Sequence, residues 1–192
     1  MDIMAAAVSK QEAMANCSYD AAAPRRRRVI ERLLKAHEGY FDIERNYPFG
    51  GRTFPGYGEF HSTASSYVLV KRAKLWEASA HEYLFFLDTP YLDQAYLNNA
   101  VSFIAEKGLE KVQLTPNHMT SYLSLVVIAD RAEEEAMRAV RRTRFRKNFR
   151  WGLQGWADLR LAAVDLSAGL VETNAMAKEL RATLEANAFC VA

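Results

Sequence analysis

The segment from Asn46 to His61 places the strongest constraint on the fold of this chain. Its sequence, NYPFGGRTFPGYGEFH, holds four of the nine glycines and two of the five prolines, interleaved with five aromatic residues. Glycine and proline at this density interrupt the helical hydrogen-bond ladder, so the segment cannot form a regular helix. We therefore expect most of it to form an ordered loop between regular elements.

Four other stretches carry the apolar spacing and the terminal signals of α-helices. Possible N-cap residues support three of these predictions, because Asp and Asn side chains accept hydrogen bonds from the free N–H groups of a first helical turn. The predicted helices are Pro24 to His37, the segment from the cap sequence Asp88-Thr89-Pro90 to Gly108, the segment from Asp130 to about Arg142, and a last helix capped by Asn174.

Strand-forming sequences occupy the intervals between these helices. Alternating β-branched and aromatic residues favour strands, and a continuous apolar run favours a strand buried on both faces. The predicted strands are Tyr67 to Trp76, His81 to Leu87, Val112 to Leu114, Ser121 to Ala129, Arg144 to Leu153 with a bulge, and Trp156 to Leu166. Residues 77–80 join the first two strands, so we expect an antiparallel hairpin there.

The order of these elements predicts an α+β fold. Helices and groups of strands alternate without the strict one-to-one order of a doubly wound sheet. This favours a largely antiparallel sheet, with mixed pairing as the alternative, and helices mainly on one face. From Tyr122 onward the order is strand, helix, strand, strand, helix, so the C-terminal half is ferredoxin-like in order. We predict a flexible N-terminal arm over residues 1–23 and a single α+β domain over residues 24–192.

Composition and charge are those of an ordinary globular protein. The formal net charge is +2 and 25% of the residues are charged, so the overall balance gives no reason to expect a nucleic acid or a membrane as partner. Cys17 and Cys190 lie near opposite ends of the chain, which does not support a disulfide framework. We recognise no export signal, and no apolar run approaches the ~20 residues of a membrane span. The expectation is a soluble, cytoplasmic protein without a transmembrane segment, and its oligomeric state is left open.

Several common catalytic signatures are absent from the sequence. It contains no dinucleotide-binding GxGxxG, no phosphate-binding GxxxxGK, no GxSxG elbow and no HExxH. The four histidines, His37, His61, His81 and His118, are scattered along the chain, and the sequence alone does not assemble them into a metal site. We therefore predict no metal, and we leave the catalytic residues, the cofactor and the enzymatic status unassigned.

The Gly/aromatic segment is the first candidate ligand site. Glycine lets a ligand approach the backbone, aromatic rings offer a stacking surface, and an imidazole two residues from a carboxylate shares a strand face with it. The candidate binding residues are Arg52, Tyr57, Glu59 and His61. In the structural alternative, the aromatic residues cover an edge of the core and the glycines serve the turns.

A basic run interleaved with aromatic residues is the second candidate. It has no acid between Glu135 and Asp158, and Arg146 and Trp151 are its candidate ligand-binding residues. Guanidinium groups beside aromatic rings bind anionic small molecules and, as the weaker alternative, single-stranded nucleic acid. In the structural alternative this is a solvated helix end, because acids at the helix start and arginines at its end suit the helix dipole.

A run of four arginines, Arg25 to Arg28, stands at the start of the first predicted helix. Cations in a first helical turn oppose the helix dipole, so this placement is locally unfavourable. We expect a junction that is not yet helical, and contact with an acidic partner, a lipid or a nucleic acid is the alternative.

These features lead to two functional hypotheses. In the first, the protein binds a small anionic or aromatic ligand or cofactor in a pocket between the Gly/aromatic segment and the basic segment. In the second, it is a non-enzymatic interaction or regulatory module that binds an acidic protein or nucleic acid, and its binding weakens steeply with added salt. The first hypothesis requires two segments that are distant in sequence to meet on one surface.

Several short motifs in the C-terminal half are similar to those of a known family. They are His118-Met119, Arg144-Phe145 with Lys147, the run from Gly155 to Ala163, Thr173-Asn174, and Lys178-Glu179-Leu180. Together with the aliphatic strand, they resemble a family of short bacterial proteins, common among anaerobes, that is catalogued only as a domain of unknown function. The resemblance covers roughly residues 25–186, and it implies no activity, cofactor or catalytic residue.

Overall fold

A seven-stranded sheet forms the centre of the computed structural model, which describes residues 24–67, 74–115 and 118–189. The strands are β1 (Asp42–Phe49), β2 (Arg52–Tyr67), β3 (Lys74–Leu92), β4 (His118–Ala132), β5 (Arg146–Asn148), β6 (Trp156–Asp165) and β7 (Leu170–Thr173). The α-helices are α1 (Arg25–His37), α2 (Gln94–Lys107), α3 (Glu134–Arg142) and α4 (Leu180–Ala188), and short 3-10 turns lie at Gly108–Lys111, Arg150–Gly152 and Ala175–Ala177. None of the helices in these ranges combines the length and the apolar character needed to cross a membrane. The predicted N-terminal arm, residues 1–23, lies outside the described residues.

The strands pair in the order β1-β2-β3-β4-β6-β5, with β7 added to β6. The pairs β3–β4 and β4–β6 are parallel, and the other pairs are antiparallel. This confirms the predicted α+β class with a largely antiparallel, mixed sheet. From β4 to α4 the elements follow the predicted ferredoxin-like order, with the short β7 as an additional strand.

Helices cover both faces of the sheet, which differs from the expectation that they lie mainly on one face. The helices α2 and α3, which connect β3 to β4 and β4 to β6, pack against the same apolar cluster, so they lie on the same face. We call this the crossover face. The central parallel strands are apolar on both sides, and α1 and α4 cover the opposite side, which we call the terminal face.

The Gly/aromatic segment is a hairpin rather than the expected loop. Phe49 pairs with Arg52 across a two-residue turn, so Asn46 to His61 belongs to β1, this turn and β2. The turn residues Gly50 and Gly51 have φ of 57° and 79°, as a type I′ turn requires. Two glycines between alternating strands are a hairpin signal, and the edge position of β1 tolerates proline.

The strand β3 is longer than its local sequence signals suggest. It continues through residues 77–80, so the hairpin turn predicted there is wrong. β2 and β3 do pair as an antiparallel hairpin, and the residues that connect them, 68–73, lie outside the described part of the chain. The predicted cap sequence Asp88-Thr89-Pro90 also lies within β3, because pairing with β4 extends the strand.

Two helices consequently begin later than predicted. The side chain of Asp93 caps α2 by accepting a hydrogen bond of 2.6 Å from the N–H of Tyr96. Asp130 remains in β4, and α3 begins after Glu133 without a side-chain cap. Sheet pairing therefore takes precedence over the local capping signals at both positions.

The arginine run at the start of α1 meets acids of the same chain. The helix begins at Arg25, so the expected non-helical junction is not present. Arg26 pairs with Asp88 at 2.9 Å and with Asp130 at 2.5 Å, and Arg27 pairs with Asp88 at 2.9 Å. These carboxylates, near the C-terminal ends of β3 and β4, offset the unfavourable position of the cations at a helix N-terminus. The arginines therefore attach α1 to the sheet.

Candidate functional site

Three of the six predicted site residues come together on β2. Tyr57, Glu59 and His61 alternate along the strand, so all three side chains point to the crossover face. The Tyr57 hydroxyl donates a hydrogen bond of 2.5 Å to one oxygen of Glu59, and His61 Nε2 lies 2.7 Å from the other. These side chains form one continuous polar group.

Arg52 lies apart from this group. It is the first residue of β2, about 30 Å along the strand from His61. Its guanidinium donates to the side chain of Asn99 and lies over the Phe103 ring, 4.2 Å from the centroid. Arg52 is therefore held by α2 at the other end of the strand.

The two predicted residues of the basic segment also lie apart from the group. Arg146 makes two hydrogen bonds of 2.7 Å with the carboxylate of Asp158. Leu159 belongs to the core of the crossover face, so Asp158 and Arg146 lie on the terminal face. Trp151 is fully exposed in the loop between β5 and β6. The structure thus does not bring Arg146 and Trp151 together with Tyr57, Glu59 and His61.

Two further histidines extend the polar group across neighbouring strands. His81 on β3 is paired in register with His61 on β2, and His118 begins β4. The ring centroids of His61 and His81 are 4.8 Å apart, and those of His81 and His118 are 6.0 Å apart. With the lysine described next, these residues form the histidine cluster, which consists of Tyr57, Glu59, His61, His81, Lys111 and His118.

Glu59 is the anionic centre of the histidine cluster. Lys111, at the end of the 3-10 turn that follows α2, places its Nζ 3.0 Å from the Glu59 carboxylate. Burial alone disfavours the charged carboxylate, but hydrogen bonds from Tyr57, Lys111 and His61 outweigh burial and hold the pKa of Glu59 below its ordinary value. Glu59 is therefore ionised at neutral pH, and Lys111 balances its charge.

Three tyrosine rings surround the ammonium group of Lys111. Its Nζ lies 5.6, 5.1 and 5.9 Å from the ring centroids of Tyr47, Tyr57 and Tyr83, within the range of cation–π attraction. Burial, followed by the hydrogen bond to Glu59, raises the pKa of Tyr57. Burial, followed by the charge of Glu59, raises the pKa of Tyr83 to about 12. Both phenols therefore remain protonated, and Tyr57 acts as a hydrogen-bond donor.

His81 is the least satisfied member of the cluster. Its Nδ1 lies 2.6 Å from the Nδ1 of His61, so the two nitrogens share one proton. Its Nε2 is buried and has no hydrogen-bond partner among the residues that the structure describes. Burial first, and then the neighbouring His61 and His118, lower the pKa of His81, so its ring is neutral at pH 7. A buried polar atom of this kind is unfavourable unless a partner satisfies it.

The protonation of His61 decides what His81 presents at Nε2. A neutral His61 that donates through Nε2 to Glu59 accepts at Nδ1 from His81, and the Nε2 of His81 is then an acceptor. A protonated His61 donates at Nδ1 to His81, and the Nε2 of His81 then carries the proton. One proton on His61 therefore converts this buried nitrogen from an acceptor into a donor.

His118 is fixed by hydrogen bonds on both sides of its ring. Its Nδ1 donates to the carbonyl oxygen of Gln154 at 2.7 Å, so its Nε2 accepts from the hydroxyl of Ser121 at 2.9 Å. Both His118 and Ser121 are buried, and Phe149 packs its ring edge-on, 5.8 Å from the imidazole centroid. The chain after β5 therefore reaches the histidine cluster through Phe149 and Gln154.

The geometry of the cluster suits hydrogen bonding rather than metal coordination. Within the described ranges, no group of three or more His, Cys, Asp or Glu side chains is arranged to hold a metal ion. The facing nitrogens of His61 and His81 are 2.6 Å apart, whereas two nitrogens bound about 2.1 Å from one tetrahedral ion lie about 3.4 Å apart. These nitrogens share a proton instead.

A second polar cluster lies on the terminal face, behind His81. Glu82, the next residue of β3, accepts hydrogen bonds from the Ser124 hydroxyl at 2.5 Å and from Arg160 at 3.1 Å. The Arg160 guanidinium also lies over the Tyr122 ring, 3.7 Å from its centroid. Burial raises the pKa of Glu82, although Arg160 acts in the opposite direction. Both charged side chains are almost completely enclosed, so this ion pair is closed to a ligand.

The residues of the histidine cluster lie in a segment that matches a known protein family. The chain matches the family described as domain of unknown function (DUF8052) over residues 25–186, which include the whole histidine cluster. No curated protein and no solved structure matches the chain. Because the family match extends over most of the sequence, this chain belongs to the family of the domain of unknown function DUF8052.

Proposed function

We propose that this protein binds a small anionic ligand at the histidine cluster. The observation that carries the proposal is the buried Nε2 of His81, which has no partner among the described residues. A carboxylate or phosphate oxygen accepts a hydrogen bond from such a nitrogen when it is protonated. Lys111 and a protonated His61 supply positive charge nearby.

The cluster is accessible from one side. The side chain of His61 is 39% exposed, whereas His81 and His118 are buried behind it. We propose that a small ligand approaches past His61 and contacts the ring of His81. Hydrogen bonds at this buried end are strong, because the surrounding protein lowers the local dielectric constant.

An anion is better supported than a flat aromatic ligand. The ring of Tyr57 is buried between Tyr47 and Phe85, with centroid distances of 4.1 and 4.9 Å, and offers no exposed face for stacking. Lys111 already balances the charge of Glu59. Protonation of His61 therefore leaves the cluster with a net positive charge, which favours an anion.

Anion binding is expected to be coupled to proton uptake. A bound anion stabilises the protonated imidazole of His61, so the affinity rises as the pH falls. The same proton makes the Nε2 of His81 a donor, so the charge and the hydrogen bond act in the same direction. Ligand recognition and protonation are thus linked through two adjacent rings.

Isothermal titration calorimetry with inorganic phosphate and with acetate as probes tests this proposal. We expect binding at about pH 6 that weakens at least about tenfold at about pH 8, because histidine loses its proton in this range. The variant His81→Phe keeps a ring but removes the unpartnered nitrogen, and it should abolish binding. His37→Phe is the matched control, because His37 belongs to α1 and its Nδ1 hydrogen-bonds the Leu33 carbonyl oxygen.

Two results would contradict the proposal. One is equal binding of both probes by the unaltered protein and by His81→Phe. The other is an affinity that does not change between about pH 6 and about pH 8. Arg146→Ala provides a further control, because Arg146 is paired with Asp158 on the terminal face and its loss should leave probe binding unchanged.

A further inference from the structure

The loop of residues 149–155, between β5 and β6, exposes two large apolar side chains. Trp151 is 100% exposed and Leu153 is 88% exposed. The next most exposed large apolar side chain of the described residues, Tyr40, is 62% exposed. Two such side chains at the tip of one loop form an apolar patch that is available to a partner.

The backbone of this loop projects Trp151 away from the protein. Arg150 and Trp151 have φ of 44° and 57°, a region that residues other than glycine rarely adopt. Such a conformation persists only where surrounding contacts hold it. At the base of the loop, Gly155 has a φ of 74°, and a side chain there would collide with the backbone of Met119. The exposed position of Trp151 is therefore built into the loop and its base.

Five N–H groups of the loop are satisfied by its own carbonyl groups. The hydrogen bonds are Phe149 to Gly155 (3.0 Å), Gly152 to Phe149 (2.9 Å), Leu153 to Arg150 (3.0 Å), Gln154 to Phe149 (3.3 Å) and Gly155 to Gly152 (3.2 Å), each from N–H to carbonyl oxygen. Backbone groups that are hydrogen-bonded to one another can move from water into an apolar environment without leaving unpaired donors. The tip is therefore suited to contact with an apolar environment.

Cations accompany the apolar tip. Residues 136–157 contain no Asp or Glu. Lys147 and Arg150 are exposed and have no acidic partner among the described residues, whereas Arg146 is paired with Asp158. The exposed guanidinium of Arg144 donates to nearby backbone carbonyl oxygens. The surface around the tip therefore carries a local positive charge that the overall net charge of +2 does not reveal.

We propose that the loop of residues 149–155 docks the protein reversibly onto an anionic membrane surface. Trp151 and Leu153 enter the headgroup region, where an indole ring is favoured, and Lys147 and Arg150 contact the anionic headgroups. Apolar insertion and charge attraction together hold a protein on a membrane that it does not cross. This proposal is independent of the ligand site, because the loop tip does not belong to the histidine cluster.

A membrane surface fits this loop better than a nucleic acid does. Proteins that bind single-stranded nucleic acid without sequence preference use several aromatic faces along a groove. In this loop only Trp151 presents its ring to solvent, because Phe149 packs against His118. Leu153 has no role in base stacking, whereas it adds directly to insertion into a headgroup region.

Co-sedimentation with lipid vesicles tests the proposal. The full chain should bind vesicles of equal parts phosphatidylcholine and phosphatidylserine, and it should bind pure phosphatidylcholine at least about tenfold more weakly. Trp151→Ala should weaken binding to the anionic vesicles about tenfold, and Lys147→Gln and Arg150→Gln about fivefold each. Tyr40→Ala is the matched control, because it removes an exposed aromatic side chain after α1 and should leave binding unchanged. Added salt should weaken binding of the unaltered chain.

Three results would overturn the proposal. The first is an absence of binding to anionic vesicles, and the second is equal binding by Trp151→Ala and the unaltered chain. The third is retention of a single-stranded oligonucleotide that depends on Trp151 while vesicles are not bound, which would assign the loop to nucleic acid instead. Circular dichroism of each variant verifies that the fold is retained, and Leu153→Ala provides a second test at the tip if Trp151→Ala fails to fold.

Discussion

His81 and Glu82 are consecutive residues of β3, yet they belong to two polar clusters that differ in their exposure to solvent. His81 points to the crossover face, where the histidine cluster reaches solvent through His61 and one buried nitrogen lacks a partner among the described residues. Glu82 points to the terminal face, where Ser124 and Arg160 enclose it. The alternation of side chains along a strand separates the two environments by a single residue.

The difference between the clusters indicates which of them is suited to a function. In a closed ion pair the two opposite charges balance each other. Removal of one partner leaves the other as an uncompensated buried charge. The Glu82–Arg160 pair therefore connects β3 to β6 within the core. A partly exposed cluster with alternative proton positions responds to pH and to a ligand. For this reason the proposed function is assigned to His81 and not to Glu82.

Breaking the closed pair is expected to have the largest effect. Arg160→Met leaves Glu82 buried without its counter-charge and should lower the free energy of unfolding by about 3–5 kcal/mol, measured by urea denaturation at neutral pH. The double variant Glu82→Met/Arg160→Met should recover most of this loss, because no charge is then left unpaired. A loss below about 1 kcal/mol in the single variant would show that solvent reaches Glu82 and that the two clusters do not differ in this way.

Removing the lysine of the histidine cluster should have a smaller effect. Lys111→Met takes one of three donors from Glu59 and should lower the free energy of unfolding by about 1–2 kcal/mol. The pKa of Glu59 should rise in this variant, as read from an NMR titration of its carboxyl carbon. Lys107→Met is the matched control, because Lys107 pairs with Glu110 on the surface and its removal should leave the free energy of unfolding almost unchanged. Equal losses in the two variants would mean that Lys111 is an ordinary surface cation.

Replacing His81 should have the smallest effect at neutral pH and a larger one in acid. The pKa of His81 is lowered in the folded protein, so the unfolded chain takes up this proton first and stability falls as the pH drops below the ordinary value of 6.5. His81→Phe should change stability by less than about 1 kcal/mol at about pH 8 and should reduce this acid-induced loss. Glu59 affects stability in a separate, lower pH range. Its pKa is lowered in the folded protein, so its ionisation stabilises the fold above pH 4.5, and this stabilisation is lost as the pH falls further.

Urea denaturation at a series of pH values measures this effect. The difference in unfolding free energy between His81→Phe and the unaltered protein should change below about pH 6.5. If the curves of unfolding free energy against pH are parallel for His81→Phe and the unaltered protein, then His81 is not held neutral by burial. The contrast with Glu82 would then lose its basis.

Long periodic signals predicted individual elements well. The apolar stripe from Pro24 to His37 became α1, and the aliphatic run from Ser121 to Ala129 lies within β4. Short signals were less reliable where sheet pairing competed with them. Asp88 and Asp130 have the chemistry of helix caps, but they remain in strands and pair with Arg26 of α1. Local capping stabilises a helix by about 1 kcal/mol, and pairing along a whole strand outweighs it.

The candidate site was predictable only where its residues are sequence neighbours. Glu59 and His61 share a strand face because they are two residues apart, and this follows from strand geometry alone. His81 and His118 were missed, because their approach depends on the register between strands. The strand register that pairs His61 with His81 is not readable from the local sequence. Residues 68–73, which connect the two strands, show no local turn signal as clear as Gly50-Gly51.

The sequence by itself determined the α+β class, the apolar strands and the common face of Glu59 and His61. Only the tertiary structure decided that three histidines from three strands meet, and that Arg146 turns to the opposite face. Backbone propensity and hydrophobic periodicity act over a few residues and are readable in a local pattern. Strand order and register are selected by the burial of both sheet faces at once, which involves the whole chain and leaves no local trace in the sequence.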